Sequence, residues 1–441
     1  MTRTESTIEN DDVLDLLTSL VDKSLVLYDE STGRYRLLET VHQYGRDRML
    51  EAGNGEVWRD QHLVHFLTLA EDAEPHLTGR DQAEWLDRLE REHDNLRVAL
   101  EWTGQRAGSA EAGLRLAGAF WRFWDVRGYL GEGRGWLAGL LSADAGDPAG
   151  SVRAKALNAA GILAYRQADY TGAQALHEKS LAIRRELGDQ WGVASSLNNL
   201  GLVTAEQADH ASSRAFYEES LAIKRELGDR AGIAVSLNNV GITACYQADY
   251  PAAWTLHEES LEIKRELGDR WGIASSLCNL GMVARELGDY TAARDLYQQS
   301  LAIWRDFGDP RGIAALLNNL GEVAFEQADY SAARTLHKES LGIFRDLGEL
   351  LGIANSLEGL AALPAGTGAP RHTSRIWGAA ERLREAIGAP LPPNERSRYQ
   401  RKVFSARAAL GDAAAFDRAW QQGRAMTVEQ AIKYALSSAD D

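Results

Sequence analysis

The chain has 441 residues, of which 44% are hydrophobic and 25% charged, a balance that excludes wholesale disorder and fits a folded globular protein. Its 48 basic and 64 acidic residues leave a formal charge of −16, which opposes non-specific attachment to nucleic acid or anionic lipid and mildly prefers a partner with positive charge. Two cysteines, Cys245 and Cys278, are too few for a disulfide framework and fit a reducing cytoplasm, and the polar start Met1–Thr7 lacks the apolar stretch of a secretory signal, while no apolar run approaches the roughly 18 residues of a membrane span.

In residues 1–55, Val13, Leu14, Leu16, Leu17, Leu20 and Val21 recur at helical spacing. Ser24–Tyr28 and Arg34–Leu38 flank the turn-rich Asp29–Gly33 and predict a β-hairpin; Thr40–Met49 returns to helix. Helix, hairpin, helix is the outline of a small winged-helix remnant. Residues 56–150 are helical without a strict period. Asp81–Trp102 is amphipathic, with Trp85, Leu86, Leu89, Leu96 and Leu100 on one side, and a second stretch carries Leu114, Leu116, Phe120, Trp121, Phe123 and Trp124.

Residues 151–365 are periodic. Gly161, Gly201, Gly241, Gly281 and Gly321 stand 40 residues apart, as do Ser180, Ser220, Ser260, Ser300 and Ser340, and Asp169, Asp209, Asp249, Asp289 and Asp329. A fixed period of that size marks a solenoid of five to six stacked units, each touching its neighbours and together presenting a concave surface. Within one unit a helix is predicted over 192–207 and its partner over 210–227. Gly188, Gly228, Gly268, Gly308 and Gly348 follow the last apolar residue of a helix, where a left-handed cap favours glycine. Asp189, Asp229, Asp269 and Asp309 come next as N-cap acceptors, and Pro310 suits a first helical position. The run Pro364–Pro370 ends the array. In 366–441 two or three further helices, interrupted by Pro390, Pro392 and Pro393, are expected to cap the last open face. The fold class expected is all-α, a superhelical solenoid with one hairpin near its start.

The array resembles tetratricopeptide repeats. Leu277-x-x-Leu280-Gly281 with Ala293-x-x-x-Tyr297 is the clearest copy. Leucine stands where that pattern has tryptophan, His177, His257 and His337 take the aromatic position, and the unit is about six residues longer than the common 34. With Gly-Asp-Arg-x-Gly-Ile-Ala between helices, it is similar to the subclass found in spindle-orientation adaptors and, more loosely, kinesin light chains. That resemblance implies extended peptides held along an asparagine-lined groove.

A second resemblance covers 11–150 and 371–437. Asp15–Leu25, Leu37–Tyr44, Glu92–Arg97 and the tail Ala379–Ile387 through Glu429–Ile432 look like the large bacterial signal-transduction ATPases of the STAND type, many of them transcriptional regulators. There a nucleotide-binding module precedes a winged helix, and the repeats follow as sensor. This chain has no G-x-x-x-x-G-K-[ST], hence no phosphate-cradling loop. The resemblance therefore implies the regulatory C-terminal portion, with an ATPase module acting in trans.

Helical spacing divides the first helix of each unit into two faces. Ala194, Leu197, Leu200, Gly201 and Thr204 are small or apolar and should meet the partner helix. Ser195, Asn199, Leu202 and Glu206 form the other stripe, followed by Val235, Asn239, Ile242 and Tyr246, then Ser275, Asn279, Met282 and Glu286, then Ala315, Asn319, Glu322 and Glu326. Asn199, Asn239, Asn279 and Asn319 would make a ladder of amides able to pair with any peptide backbone; the alternative is that they bond across repeats and hold the stack. Four such bonds at about 1 kcal/mol each give roughly millimolar affinity, so pockets formed by Leu202, Ile242, Tyr246, Met282 and Phe325 must add to it. Glu206, Glu286, Glu322 and Glu326 favour basic residues in a ligand, or form a solvated face.

Other features carry less. His177-Glu178 and His257-Glu258 lack the second histidine of a zinc-protease helix and read as packing. Gly131, Gly133 and Gly135 have the wrong spacing for a dinucleotide loop and read as a helix junction. Trp121, Trp124 and Trp136 read as core. The basic run Arg396–Lys402 reads as a solvated helix face. No nucleophile, base and orienting partner recur together. The expectation is a cytoplasmic, non-enzymatic scaffold or sensor without cofactor, binding a protein or peptide and neither nucleic acid nor membrane directly.

Overall fold

The structure is a computed structural model that describes residues 10–30, 33–51, 53, 55–79, 81–106, 108–142, 150–363, 370–389, 391 and 393–437. The polar start, the proline-rich boundary at 364–369, Pro390 and Pro392 lie outside the described residues. The chain divides into two compact units, Met1–Ala168 and Asp169–Asp441. Both are helical, and the first holds a two-stranded hairpin.

In the first unit, α1 (Asn10–Asp22), β1 (Val26–Asp29), β2 (Arg34–Leu37) and α2 (Glu39–Glu51) follow the expected order. The strands pair antiparallel with Val26 opposite Leu37. Gly33, at φ +67°, takes the left-handed conformation that the turn into β2 requires. Helices α3 (Gly55–Ala73), α4 (Gln82–Arg91), α5 (His93–Gln105), α6 (Ala110–Arg127), α7 (Leu130–Ser142) and α8 (Gly150–Arg166) complete it. Leu96, Leu100, Leu114, Phe120, Phe123 and Trp124 are buried in its core. Trp121 and Trp136 are only half-buried. Gly131, Gly133 and Gly135 lie inside α7 and not at a junction. A Cβ on Gly133 would stand 2.6 Å from the Trp124 ring, so that glycine makes room for the indole.

The second unit opens with α9 (Tyr170–Glu186), α10 (Gln190–Glu206), α11 (His210–Leu227), α12 (Arg230–Tyr246) and α13 (Tyr250–Leu267). The array continues through α14 (Arg270–Glu286), α15 (Tyr290–Phe307), α16 (Pro310–Glu326), α17 (Tyr330–Leu347) and α18 (Leu350–Ala362), and α19 (Pro370–Ile387), α20 (Pro393–Leu410), α21 (Ala413–Arg424) and α22 (Val428–Leu436) follow. The helix ends have the expected causes. The carboxylates of Asp189, Asp229 and Asp269 accept from the amides of Gly192, Gly232 and Gly272, each at 2.9 Å. Gly228, Gly268, Gly308 and Gly348 close the partner helices at φ 66 to 70°. The alternate turns were not anticipated. Ala168, Ala208, Ala248 and Ala328 sit at φ 59 to 61°, where one repeat has Gly288. An alanine there is strained by about 1 kcal/mol.

Paired helices approach closely through two periodic contacts. Ser220, Ser260, Ser300 and Ser340 are fully buried and donate to the carbonyls of Ala194, Ala234, Ala274 and Ala314 at 2.7 to 2.9 Å. Sixteen residues after each repeat glycine stands a ring that lies on it. A Cβ on Gly201, Gly241, Gly281 or Gly321 would fall 2.6 to 2.7 Å from Tyr217, His257, Tyr297 or His337. Histidine and tyrosine thus fill one slot, and both are buried there.

Three outcomes follow for stability. Gly241→Ala forces a methyl into the His257 ring and should destabilise the fold by about 1–3 kcal/mol in urea melts; an unchanged midpoint would remove the close-approach account. Ala248→Gly should relieve about 1 kcal/mol of left-handed strain and lose roughly 0.4–1 kcal/mol to the greater unfolded-state freedom of glycine. Urea melts should therefore show stability unchanged or raised by up to about 0.6 kcal/mol, and a loss of about 1 kcal/mol would remove the strain account. Burial, aided by the charge of Arg184 or Lys264, lowers His177 and His257 from 6.5 to about 4. Burial also outweighs the pull of Glu322 on His337 and lowers it to about 4. Below pH 6.5 the unfolded chain binds these protons and the fold refuses them, so stability should fall between pH 6.5 and 4, by roughly 1–3 kcal/mol per histidine. His257→Tyr, the residue of the neighbouring repeats, should flatten that slope in melts run from pH 7.5 to 5.

Candidate functional site

Helices α12, α14, α16 and α18 touch in succession, and the predicted asparagine positions lie on them and on α10. The Nδ2 of Asn239 donates to Asn198 Oδ1 of the preceding repeat at 3.0 Å, and Asn279 donates to Asn238 at 2.8 Å. At the next step Cys278 replaces the acceptor amide, and Asn319 Nδ2 lies 3.8 Å from its sulfur. Asn318 instead holds Nδ1 of His337 at 2.7 Å. The amides are therefore linked across repeats, and each such link uses one of the two amide hydrogens of the donor. Asn199, Asn239, Asn279 and Asn319 are all half-buried.

The predicted pocket residues divide into two groups. On α10 and α12, Leu202, Glu206 and Tyr246 are exposed and Ile242 is half-buried; Tyr246 stacks on His210 at 4.9 Å between ring centres. Met282 is half-buried against Ala244, Cys245 and Val283. Glu326 is half-buried.

Around Glu286 and Glu322 the situation differs, because α20 lies over them. Arg398 Nη2 donates to Glu286 Oε2 at 2.6 Å, and Lys402 Nζ donates to Glu322 Oε2 at 2.5 Å. The Lys402 ammonium also stands 4.5 Å from the centre of the Phe325 ring, a cation–π distance. These pairs are well covered, with side-chain exposures of 23% and 10% for Arg398 and Glu286 and 12% and 17% for Lys402 and Glu322. The basic run is thus not a solvated face: Arg398 and Lys402, one turn apart, face the repeats, while Arg396 and Arg401 remain exposed. Tyr399, on the same side, meets Trp377 edge to face at 4.8 Å. A cavity of about 130 Å³ remains between α20 and the wall, lined by Asn319, Glu322, Glu395 and Lys402 among others.

The acidic wall has a regular origin. Glu286, Glu322 and Glu358 are 36 residues apart, four short of the repeat, so each carboxylate sits one turn earlier on its helix than the one before. Glu358 is taken by Arg384 of α19 through two bonds, at 2.6 and 2.9 Å. Arg285 pairs with Glu286 at 2.9 Å. Burial alone would raise the Glu322 carboxyl; Lys402, then His337 and Arg285, outweigh it and hold it down at about 2. Burial likewise opposes ionisation of Glu286, and Arg285 and then Arg398 prevail to lower it. Both carboxylates are charged at neutral pH. Arg285, Glu358 and Arg384 escaped the sequence reading, and Arg398 and Lys402 entered it only within a run read as solvated, although the 36-residue step of the carboxylates and the four-residue spacing of the two cations were both present in the sequence. No cluster of three or more candidate metal ligands occurs among the described residues, nor any helix long and apolar enough to cross a membrane.

Residues 152–226, 192–266, 232–306 and 272–346 match the model of the tetratricopeptide repeat. The chain is 35% identical over 186 residues to proteins of Mycobacterium tuberculosis and Mycobacterium bovis that bear the name HTH-type transcriptional regulator. That match covers 40% of this chain and 21% of each relative, so the chain spans about a fifth of the length of those proteins. Among solved structures, the STAND protein with a tetratricopeptide repeat sensor from Pyrococcus horikoshii aligns with a TM-score of 0.60 at 15% identity, over 95% of this chain and 60% of that one. The apo quorum sensor NprR from B. thuringiensis gives 0.58 at 12% identity, over 82% and 97%. A Rap protein complexed with Competence and Sporulation Factor gives 0.55 at 12%, over 86% and 99%. At these identities the likeness is one of fold.

Proposed function

We propose that this chain, whose residues 152–346 are tetratricopeptide repeats, is a non-enzymatic cytoplasmic scaffold or sensor. It holds a peptide segment of a partner protein in the trough of α10–α18, in signalling or transcription regulation. The observation that carries this reading is the occupied half of the trough: Glu286 and Glu322 already hold an arginine and a lysine of a helical segment. A surface that takes one basic segment has the shape and charge to take another. The half on α10 and α12 offers Leu202, Glu206, Ile242 and Tyr246 to a ligand, beside the amides of Asn199 and Asn239. Linked amides suit this role, since a side chain already held by a neighbouring repeat loses little further freedom on binding.

A second reading is favoured by the relatives. The chain serves as the regulatory part of an ATP-dependent transcriptional regulator, acting with a separate nucleotide-binding module. Its likeness to the STAND protein with a repeat sensor and to the mycobacterial regulators supports this, and both readings place the recognition event in the same trough.

The test is capture from lysate by the full chain, with mass spectrometry to identify the partner and titration to measure affinity. Asn239→Ala with Asn279→Ala should weaken the captured partner at least tenfold. An affinity unchanged within twofold, with the melting point lowered, would assign the amides to the stack alone.

A further inference from the structure

Helix α20 carries the chemistry that the trough asks of a partner. We propose that α20 is a displaceable internal ligand, and that the α14–α16–α18 part of the trough takes in exchange a basic amphipathic helix of the partner, with Arg or Lys at positions i and i+4 beside an aromatic residue. This rests on the peptide-binding reading and adds to it the partner's chemistry and its control.

The way α20 is held sets it apart from its neighbours. None of its described side chains is fully buried, and Phe404 on its outer face is 74% exposed. Its anchors to the repeats are the pairs Arg398–Glu286 and Lys402–Glu322 and the Lys402–Phe325 contact. To the cap it is held by the Tyr399–Trp377 contact, by half-buried Val403 and Ala406 at the edge of the core, and by Arg407, which donates to Asp417 at 3.1 Å and lies over the Phe416 ring. The other cap helices are locked by packing. Trp377, Phe416 and Ile432 are buried. Gly378 and Gly423 bring α19 and α21 so near that a Cβ would stand 2.1 Å from the Trp420 carbonyl oxygen and 1.9 Å from that of Arg375. The close approach of α19 and α21 does not involve α20 and persists if it lifts, at the cost of uncovering the edge of the core on which Tyr399, Val403 and Ala406 rest. Gly388 and Gly411, at φ +63° and +68°, stand on either side of α20, where the chain turns without side-chain hindrance.

The energetics favour exchange over permanent attachment. When α20 lifts, Glu286 and Glu322 return to water together with Arg398 and Lys402, so the desolvation of both pairs is recovered as their attraction is lost. No charge is stranded, because Arg285 still faces Glu286. A partner helix with the same spacing rebuilds the same two pairs. The occupant is then decided by relative affinity and concentration, with the tethered helix lowering the apparent affinity of any competitor.

A labelled synthetic peptide with the sequence of residues 393–410 is the probe. The full chain carrying Arg398→Glu and Lys402→Glu, whose own helix is repelled from the acidic wall, should bind it at least tenfold more tightly than the unaltered chain. Adding Glu286→Gln and Glu322→Gln should abolish that gain. Equal affinity for the unaltered chain and the folded double variant would overturn the inference. Hydrogen exchange on the unaltered chain covers the case in which the variant fails to fold. The amides of α20 should exchange at least tenfold faster than those of α19 and α21, and equal protection overturns the proposal. Partner capture sensitive to Asn239 and Asn279, found beside a fully protected α20, would discard the internal ligand while the binding reading stands.

Discussion

Everything in the array depends on a glycine meeting a ring. At Gly201, Gly241, Gly281 and Gly321 the first helix of a pair has no side chain, and Tyr217, His257, Tyr297 or His337 of the second lies on the bare backbone. That contact draws the two helices together until a buried serine one turn further on reaches the opposite carbonyl. Interiors are close-packed, so one such distance propagates into the neighbouring layers. A unit built this way presents the same stripe of its first helix each time, and a surface of aligned stripes results.

The stripes then diverge because the residues on them do. On α10 and α12 they carry Leu202, Ile242 and Tyr246; on α14, α16 and α18 they carry Glu286, Glu322 and Glu358. An acidic diagonal in a half-covered wall is unfavourable without cations, since burial disfavours the charged carboxyl. The chain meets this with Arg285, Arg384, Arg398 and Lys402. Three of these four come from the helices that follow the array, so the cap completes the electrostatics of the repeats as well as covering their last face.

Much of this was legible in the residues. The helix boundaries of the array followed from Asp at the N-cap and glycine at the left-handed cap, which are local rules that act within one turn. The hairpin followed from Asp29–Gly33. The alanines at φ near 60° did not, because alanine carries no turn signal and is held there by the helices on either side. Gly133 was misread as a junction because a glycine that admits a ring and a glycine that ends a helix look alike without the ring. The amide ladder could be counted from the sequence, but the partner of each amide was decided by how far adjacent repeats are offset.

What the sequence alone determined was the 40-residue unit, its two helices, their caps and the stripe each presents, because these depend on contacts at short and constant separation. The tertiary structure decided what lies on that stripe. Glu286 meets a residue 112 positions away, and Glu322 one 80 positions away. No periodicity links such pairs, since which segment returns to the trough depends on the path of the whole cap, and a run of basic residues reads the same whether water or a carboxylate awaits it.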